Sequence, residues 1–127
     1  MTLVRVVAQR KFQESYPGYS ALRANFEQYK RTGIAPSLFG RDAPYHQPAM
    51  ARAAGLMHLH LLTTPIVGVT QYRRTSDIHL VYCEHAIYKN VFALIAVLNP
   101  NAHAQANDVD AMISLSAIAE RFHQQNF

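Results

Sequence analysis

The chain has 127 residues, of which 50% are hydrophobic and 16% are charged. This composition excludes a disordered chain and predicts a single domain over residues 1–127 with a buried core. No apolar run approaches the roughly 18–20 residues of a membrane helix, and the single Cys83 excludes a disulfide framework. We therefore expect a soluble, cytoplasmic protein.

The charge balance is basic. Twelve Lys and Arg against eight Asp and Glu give a formal net charge of +4, and the chain also has seven histidines. A basic surface favours a polyanion or an acidic partner protein. Histidine supplies acid–base groups and metal ligands near neutral pH. The composition thus indicates phosphate chemistry or a histidine metal site.

Hydrophobic periodicity predicts the elements of the first half in chain order. We expect a strand over Leu3–Ala8, at an edge of the sheet, and then a helix that Ser20 caps and Gly33 ends. Prolines break regular structure after this helix. They predict that Ala35–Gln47 is a loop or a short helical turn.

The second half alternates in the way that strands do. Strands are predicted over Met57–Leu62, Ile78–Cys83 and Phe92–Leu98, the last of them central because it is apolar on both faces. A final helix begins at Asp108 or Asp110. The order predicts an α+β domain: a small, mainly antiparallel sheet with helices packed on one face.

Three histidines fall on corresponding faces of two predicted strands. His58 and His60 are two residues apart and therefore point to the same side, away from the apolar residues of their strand. On the next predicted strand, His79 likewise points away from the apolar residues Ile78, Leu80 and Tyr82. If the strands are neighbours, the three imidazoles converge on a polar face. For one histidine taken alone, an ordinary solvent-exposed strand face is the alternative.

Converging histidines support two chemistries. Three imidazoles can hold zinc or iron and leave a position open for water. In a metal-free ribonuclease, one histidine with an ordinary pKa of about 6.5 takes the proton of the ribose 2′-OH, a second group protonates the leaving oxygen, and cations bind the phosphate. The sequence offers those cations: Arg73 and Arg74 precede the His79 strand, and Arg41 lies in the proline-bounded loop.

Other polar residues have two interpretations each. Asp42 can pair with Arg41 and fix the shape of the loop, or it can orient a histidine. Lys30 and Arg31 are favourable charges at a helix C-terminus, or they extend a phosphate-binding surface. We predict no metal and no cofactor. The predicted catalytic residues are His58, His60, His79 and Arg74, and the predicted substrate-binding residues are Arg41, Asp42, Arg73, Lys30 and Arg31.

Seven short segments between about residues 26 and 123 carry a family resemblance: Tyr29-Lys30-Arg31-x-Gly33, Phe39-Gly40-Arg41-Asp42-Ala43-x-Tyr45, His58-x-His60-Leu61, Arg74-Thr75-x-Asp77, His79-Leu80-Val81-Tyr82-Cys83, Leu94-Ile95-Ala96-x-Leu98 and Ala119-Glu120-x-Phe122. In this order and combination, the chain resembles the YafO family of bacterial toxins.

The resemblance implies the toxin of a type II toxin–antitoxin system. Such a protein is a ribosome-dependent endoribonuclease that cuts mRNA and is neutralised by a small antitoxin from the same operon. The implied fold is similar to that of the RelE-like microbial ribonucleases. Two alternatives stay open: a non-catalytic basic module that binds ribosomal RNA and blocks translation, and a histidine-ligated metalloenzyme.

Overall fold

The computed structural model describes residues 3–127; Met1 and Thr2, which the single-domain prediction includes, lie outside the described residues. Over the described residues the strands are Arg5–Ala8 (β1), Phe39–Pro44 (β2), Met57–Leu61 (β3), His79–Glu84 (β4) and Val91–Leu98 (β5). The helices are Arg10–Ser15 (α1), Tyr19–Thr32 (α2), Ala49–Ala53 (α3), Ala102–Ala106 (α4) and Val109–His123 (α5), and a 3₁₀ turn spans Gln71–Arg73.

The strands form one mixed sheet in the order β1-β5-β4-β3-β2. Among the strands of residues 3–127, only β1 and β5 pair in parallel; the other neighbours are antiparallel. The predicted α+β class with a mainly antiparallel sheet is thus confirmed. The predicted positions of β1 at an edge and of β5 inside the sheet are also correct.

Helices cover both faces of the sheet, so the prediction of helices on one face is wrong. On one face α2 packs on the sheet, with the rings of Phe26 and Tyr82 4.9 Å apart. On the other face α3, α4 and α5 pack on the sheet, and Phe122 shares a core with Cys83. Because alternate residues of β4 enter two different cores, neither face of its centre is open to water.

The segment Ala35–Gln47, predicted as a loop or a short helical turn, contains β2 instead. This strand is at an edge and pairs only with β3. Pro44 ends it, a position where proline is tolerated because no neighbouring strand needs its missing N–H. The short helices α1, α3 and α4 were also not predicted, since five or six residues are too few for a helical repeat.

The ends of the two long helices follow local backbone chemistry. α2 begins one residue before the predicted cap Ser20, because Gly18 adopts a left-handed φ of 82° at its N-cap. Gly33 ends α2 as predicted, with φ 76°. Asp108 caps α5, and its side chain accepts a hydrogen bond from the Ala111 amide over 3.2 Å.

Gly40 lets β2 approach the residue that follows the 3₁₀ turn. A Cβ at position 40 would overlap the carbonyl oxygen of Arg74, which accepts a 2.8 Å hydrogen bond from the Arg41 amide. We therefore expect Gly40→Ala to lower the free energy of unfolding by about 1–3 kcal/mol. Urea unfolding measures this. A change below about 0.5 kcal/mol, typical of neutral surface substitutions, would contradict the close approach.

Candidate active site

The three predicted histidines converge in the structure. β3 and β4 are antiparallel neighbours, and His60 lies opposite His79 in their register. The ring centroids of His60 and His79 are 4.2 Å apart, and those of His58 lie 5.0 Å from His79 and 5.4 Å from His60. The strand period therefore predicted the convergence correctly, and a catalytic role for the cluster stays a prediction.

The face that carries the histidines is not polar and open, as the alternation suggested. His60 is 2% exposed and His79 is 1% exposed. His103 of α4 lies with its ring 5.0 Å from that of His79, and Tyr45 stacks on His58 at 4.3 Å. His58 is half-buried and is the most accessible of the three.

The backbone of Ser76 fixes the positions of the protons on two of the imidazoles. Its N–H donates to Nδ1 of His60 over 2.8 Å, and its carbonyl lies 3.2 Å from Nε2 of His79. A neutral His60 therefore carries its proton on Nε2, whereas His79 donates from Nε2 and keeps a lone pair on Nδ1. That Nδ1 is buried and has no hydrogen-bond partner among residues 3–127.

Burial, and after it the neighbouring imidazoles, lower the pKa of each of the three histidines to about 4. The ordinary value near 6.5 does not apply to this cluster. All three rings are thus neutral at pH 7. In this state they can accept a proton, and they add no positive charge to the site.

Arg41 is the arginine whose charge affects the pKa of the histidines of β3. Its charge is one of the causes that lower the pKa of His58 and His60. Its guanidinium lies 4.2 Å from the centre of the Tyr72 ring, and Nε donates to the Tyr72 carbonyl over 2.7 Å. Tyr72 is 65% exposed. The pair presents a cation and an aromatic ring to solvent at the β2 edge of the sheet.

Arg73 and Arg74 lie beside this pair. Nε of Arg74 donates to the carbonyl of Val69 over 3.1 Å, so its guanidinium is held in its own loop rather than by a histidine. The 3₁₀ turn directs the segment back towards Val69, which strand alternation cannot predict. Arg73 is exposed, and its side chain has no polar partner within the part of the chain that the structure describes.

Asp42 joins a polar network on the α2 face. It accepts hydrogen bonds from Tyr29 at 2.7 Å, from Tyr82 at 2.5 Å and from Nζ of Lys30 at 3.1 Å. Lys30 also donates to the Tyr82 hydroxyl over 2.9 Å. Asp42 thus pairs with Lys30 and not with its neighbour Arg41, because successive strand residues point to opposite sides. Arg31 is exposed at the end of α2.

The chain matches a family model over residues 27–124, and that model describes the toxin YafO of a type II toxin–antitoxin system. The chain belongs to the YafO toxin family. A curated relative, the mRNA interferase toxin YafO of Escherichia coli (strain K12), is 37% identical over 112 residues, which cover 83% of this chain and 85% of the relative. No solved structure matches the chain, so the likeness to RelE-like ribonucleases stays a prediction.

Membership of the YafO family implies an antitoxin as partner, as the resemblance predicted. The matched region runs from α2 to the end of α5 and includes every predicted site residue. None of the helices among residues 3–127 is both long enough and apolar enough to cross a membrane.

Besides Tyr45 and His103, which contact the cluster, sequence reasoning missed three residues around the site of this YafO-family toxin. Ser76 acts through its backbone, which no side-chain pattern reveals. Gln71 ties the 3₁₀ turn to the fold, since its amide donates to Tyr29 at 3.0 Å and to the Gly40 carbonyl at 2.9 Å. Tyr72 had a signal in the sequence: it is an aromatic residue directly before two arginines, a composition that favours RNA.

The histidine cluster was also a candidate metal site. Among the residues that the structure describes, no group of three His, Cys, Asp or Glu side chains is placed to hold a metal ion. The Ser76 N–H donates to Nδ1 of His60, so the neutral His60 carries its proton on Nε2 and has no free lone pair for a metal, whereas His79 keeps one on Nδ1. The geometry therefore does not support the interpretation of this YafO-family protein as a histidine-ligated metalloenzyme.

Proposed function

We propose that this chain is an mRNA interferase that cuts ribosome-bound mRNA in the cytoplasm by metal-independent acid–base catalysis. Its similarity to a relative named as an mRNA interferase toxin supports the activity. The observation that carries the assignment of a site is the position of Arg41 and the exposed Tyr72 at the β2 edge, beside the neutral His58 and His60 of β3, whose pKa the charge of Arg41 lowers. Ribosome dependence and the residue roles below are parts of this proposal.

His58 is the group that we assign to proton abstraction, because it is the most accessible neutral imidazole of the cluster. It takes the proton of the ribose 2′-OH, whose oxygen attacks the adjacent phosphorus. The bond from phosphorus to the 5′-oxygen breaks and leaves a 2′,3′-cyclic phosphate. The negative phosphate raises the pKa of a nearby imidazole, so the cluster holds the proton until the 5′-oxygen takes it as a hydroxyl.

The substrate contacts come from the β2 edge. Arg41 has a planar guanidinium, which suits the non-bridging oxygens on which charge collects in the transition state. Tyr72 offers an exposed ring on which a base can stack. Arg73 and Arg74 add positive charge beside it. In this arrangement Lys30 and Asp42 hold α2 to the sheet, and a direct substrate contact by them or by Arg31 stays a prediction.

We expect His58→Ala and Arg41→Ala each to reduce mRNA cleavage by about 10²–10³-fold, the usual effect of removing one transition-state contact. Primer extension on mRNA from cells that express each variant measures the loss of discrete ends. Arg10→Ala is the matched control, because Arg10 is an exposed cation at the start of α1 and is not one of the predicted site residues. We expect wild-type cleavage from it.

The same assay separates the alternatives. Translation arrest without cleavage ends in wild type would favour the non-catalytic module that binds ribosomal RNA. Undiminished cleavage by a folded His58→Ala variant would contradict the assigned base. Purified mRNA with and without ribosomes tests ribosome dependence. If a chelator abolishes cleavage on intact ribosomes and zinc restores it, the metal-free mechanism is wrong.

A further inference from the structure

The β5 strand has an edge that β1 covers only in part. β1 pairs with Val91–Leu94 and stops at Ala8. Beyond that point Ala96–Leu98 pair with β4 alone. The chain leaves the sheet at Gln9 to begin α1, so no described residue forms a strand beside this end of β5. An open strand edge is a template on which an extended peptide can add.

An apolar groove runs along this open edge. The groove has a volume of about 380 Å³, with α1 on one side and α5 on the other. The apolar residues that define it are Phe12, Tyr16, Ile95, Val97, Leu115 and Ile118. At Gln9 and Ile118 it meets a second cavity of about 220 Å³. The two together can receive several side chains of a bound segment.

The charged residues that line the groove and the second cavity have one sign. Lys11 lines the first cavity and Arg121 lines the second, and no acidic residue among the described ones lines either of them. A segment that fits here has apolar residues in its centre and acidic residues towards its ends. Complementary charge of this kind speeds association and makes it sensitive to salt.

We propose that this groove binds the antitoxin: an extended, acidic-flanked segment of it adds as a strand beside Ile95–Leu98 and continues the line of β1. The antitoxin is the partner that membership of a type II toxin–antitoxin family implies. The inference rests on that membership and not on the assigned catalytic residues. The groove lies towards the β1 edge, whereas Arg41 lies on β2 at the opposite edge. The antitoxin is thus anchored away from the site proposed for RNA.

The test compares two substitutions on α5. Ile118→Glu places a charge in the groove. Ile113→Glu places the same charge on the same helix at a residue that is 46% exposed and does not line the groove. We expect Ile118→Glu to raise the Kd for the purified operon antitoxin by at least about tenfold, because the new carboxylate must be desolvated when the antitoxin covers it. Ile113→Glu should leave the Kd within about twofold.

Growth assays keep binding separate from folding and catalysis. Cells that express Ile118→Glu should arrest as wild type does and should no longer be rescued by the co-expressed antitoxin, whereas Ile113→Glu should be rescued. If Ile118→Glu is not toxic because it fails to fold, hydrogen exchange on the wild-type complex decides. We expect slower exchange of the backbone amides in Ile95–Leu98 when the antitoxin binds. Equal Kd values for both variants, or unchanged exchange at this edge, would overturn the proposal.

Discussion

Replacement of Asp42 by alanine should lower the free energy of unfolding by about 3–5 kcal/mol, the usual cost of removing one partner of a buried ion pair. The side chains of Lys30 and Asp42 are 19% and 11% exposed. Without the carboxylate, the ammonium of Lys30 keeps the Tyr82 hydroxyl and the faces of nearby aromatic rings but loses its counter-charge, and the hydroxyls of Tyr29 and Tyr82 lose their acceptor. Urea unfolding at pH 7 measures the loss.

The chain contains a matched control for this substitution. Arg23 and Glu27 form an ion pair of 3.0 Å along α2, and their side chains are 47% and 30% exposed. Glu27→Ala should therefore cost less than about 1 kcal/mol. Similar losses for Asp42→Ala and Glu27→Ala would show that the network on the α2 face does not hold the helix to the sheet.

Acidification should destabilise the protein through its buried histidines. In the unfolded chain their pKa is about 6.5, and in the folded protein it is about 4. Between pH 4 and pH 6.5 the unfolded state binds more protons than the folded state. The free energy of unfolding is therefore highest above pH 6.5, as far as these histidines are concerned, and it decreases as the pH falls towards 4. At pH 5 the loss is about 2 kcal/mol for each histidine that titrates independently.

Urea unfolding at several pH values between 4 and 7.5 measures this effect. His79→Gln removes one buried titrating group, so the stability of this variant should depend less steeply on pH over that window. His46→Gln, at an exposed position, is the control for the substitution itself. A wild-type protein as stable at pH 5 as at pH 7 would contradict the buried, neutral cluster.

The convergence of the histidines was predictable because the period of a strand is fixed by its backbone. Their burial was not predictable. α3 and α4 help to cover that face, and each has five residues and consists mostly of alanine, so neither shows an amphipathic pattern. The alternation of His58 and His60 with apolar residues therefore looked like a solvent-exposed face.

The positions of the arginines show a second limit. Arg41 and Asp42 were predicted in a loop, where neighbours can pair; in the strand β2 they lie on opposite sides. The prolines of this segment favoured a loop in the sequence analysis, so the strand was not predicted. For Arg74, chain position alone placed the guanidinium near His79, but the direction of a side chain after a 3₁₀ turn depends on the turn geometry, which periodicity does not encode.

The parallel pairing of β1 with β5 has a consequence for the time at which the toxin is complete. Arg5 lies opposite Val91. The ribosome therefore synthesises β1 long before β5, and β1 cannot pair until β5 has been made. Contacts so distant in sequence also form slowly. Residues of both α1 and α5 line the groove, and these helices are about a hundred residues apart in the sequence. An antitoxin that binds there requires both helices to be folded, so it does not recognise a nascent chain that still lacks α5.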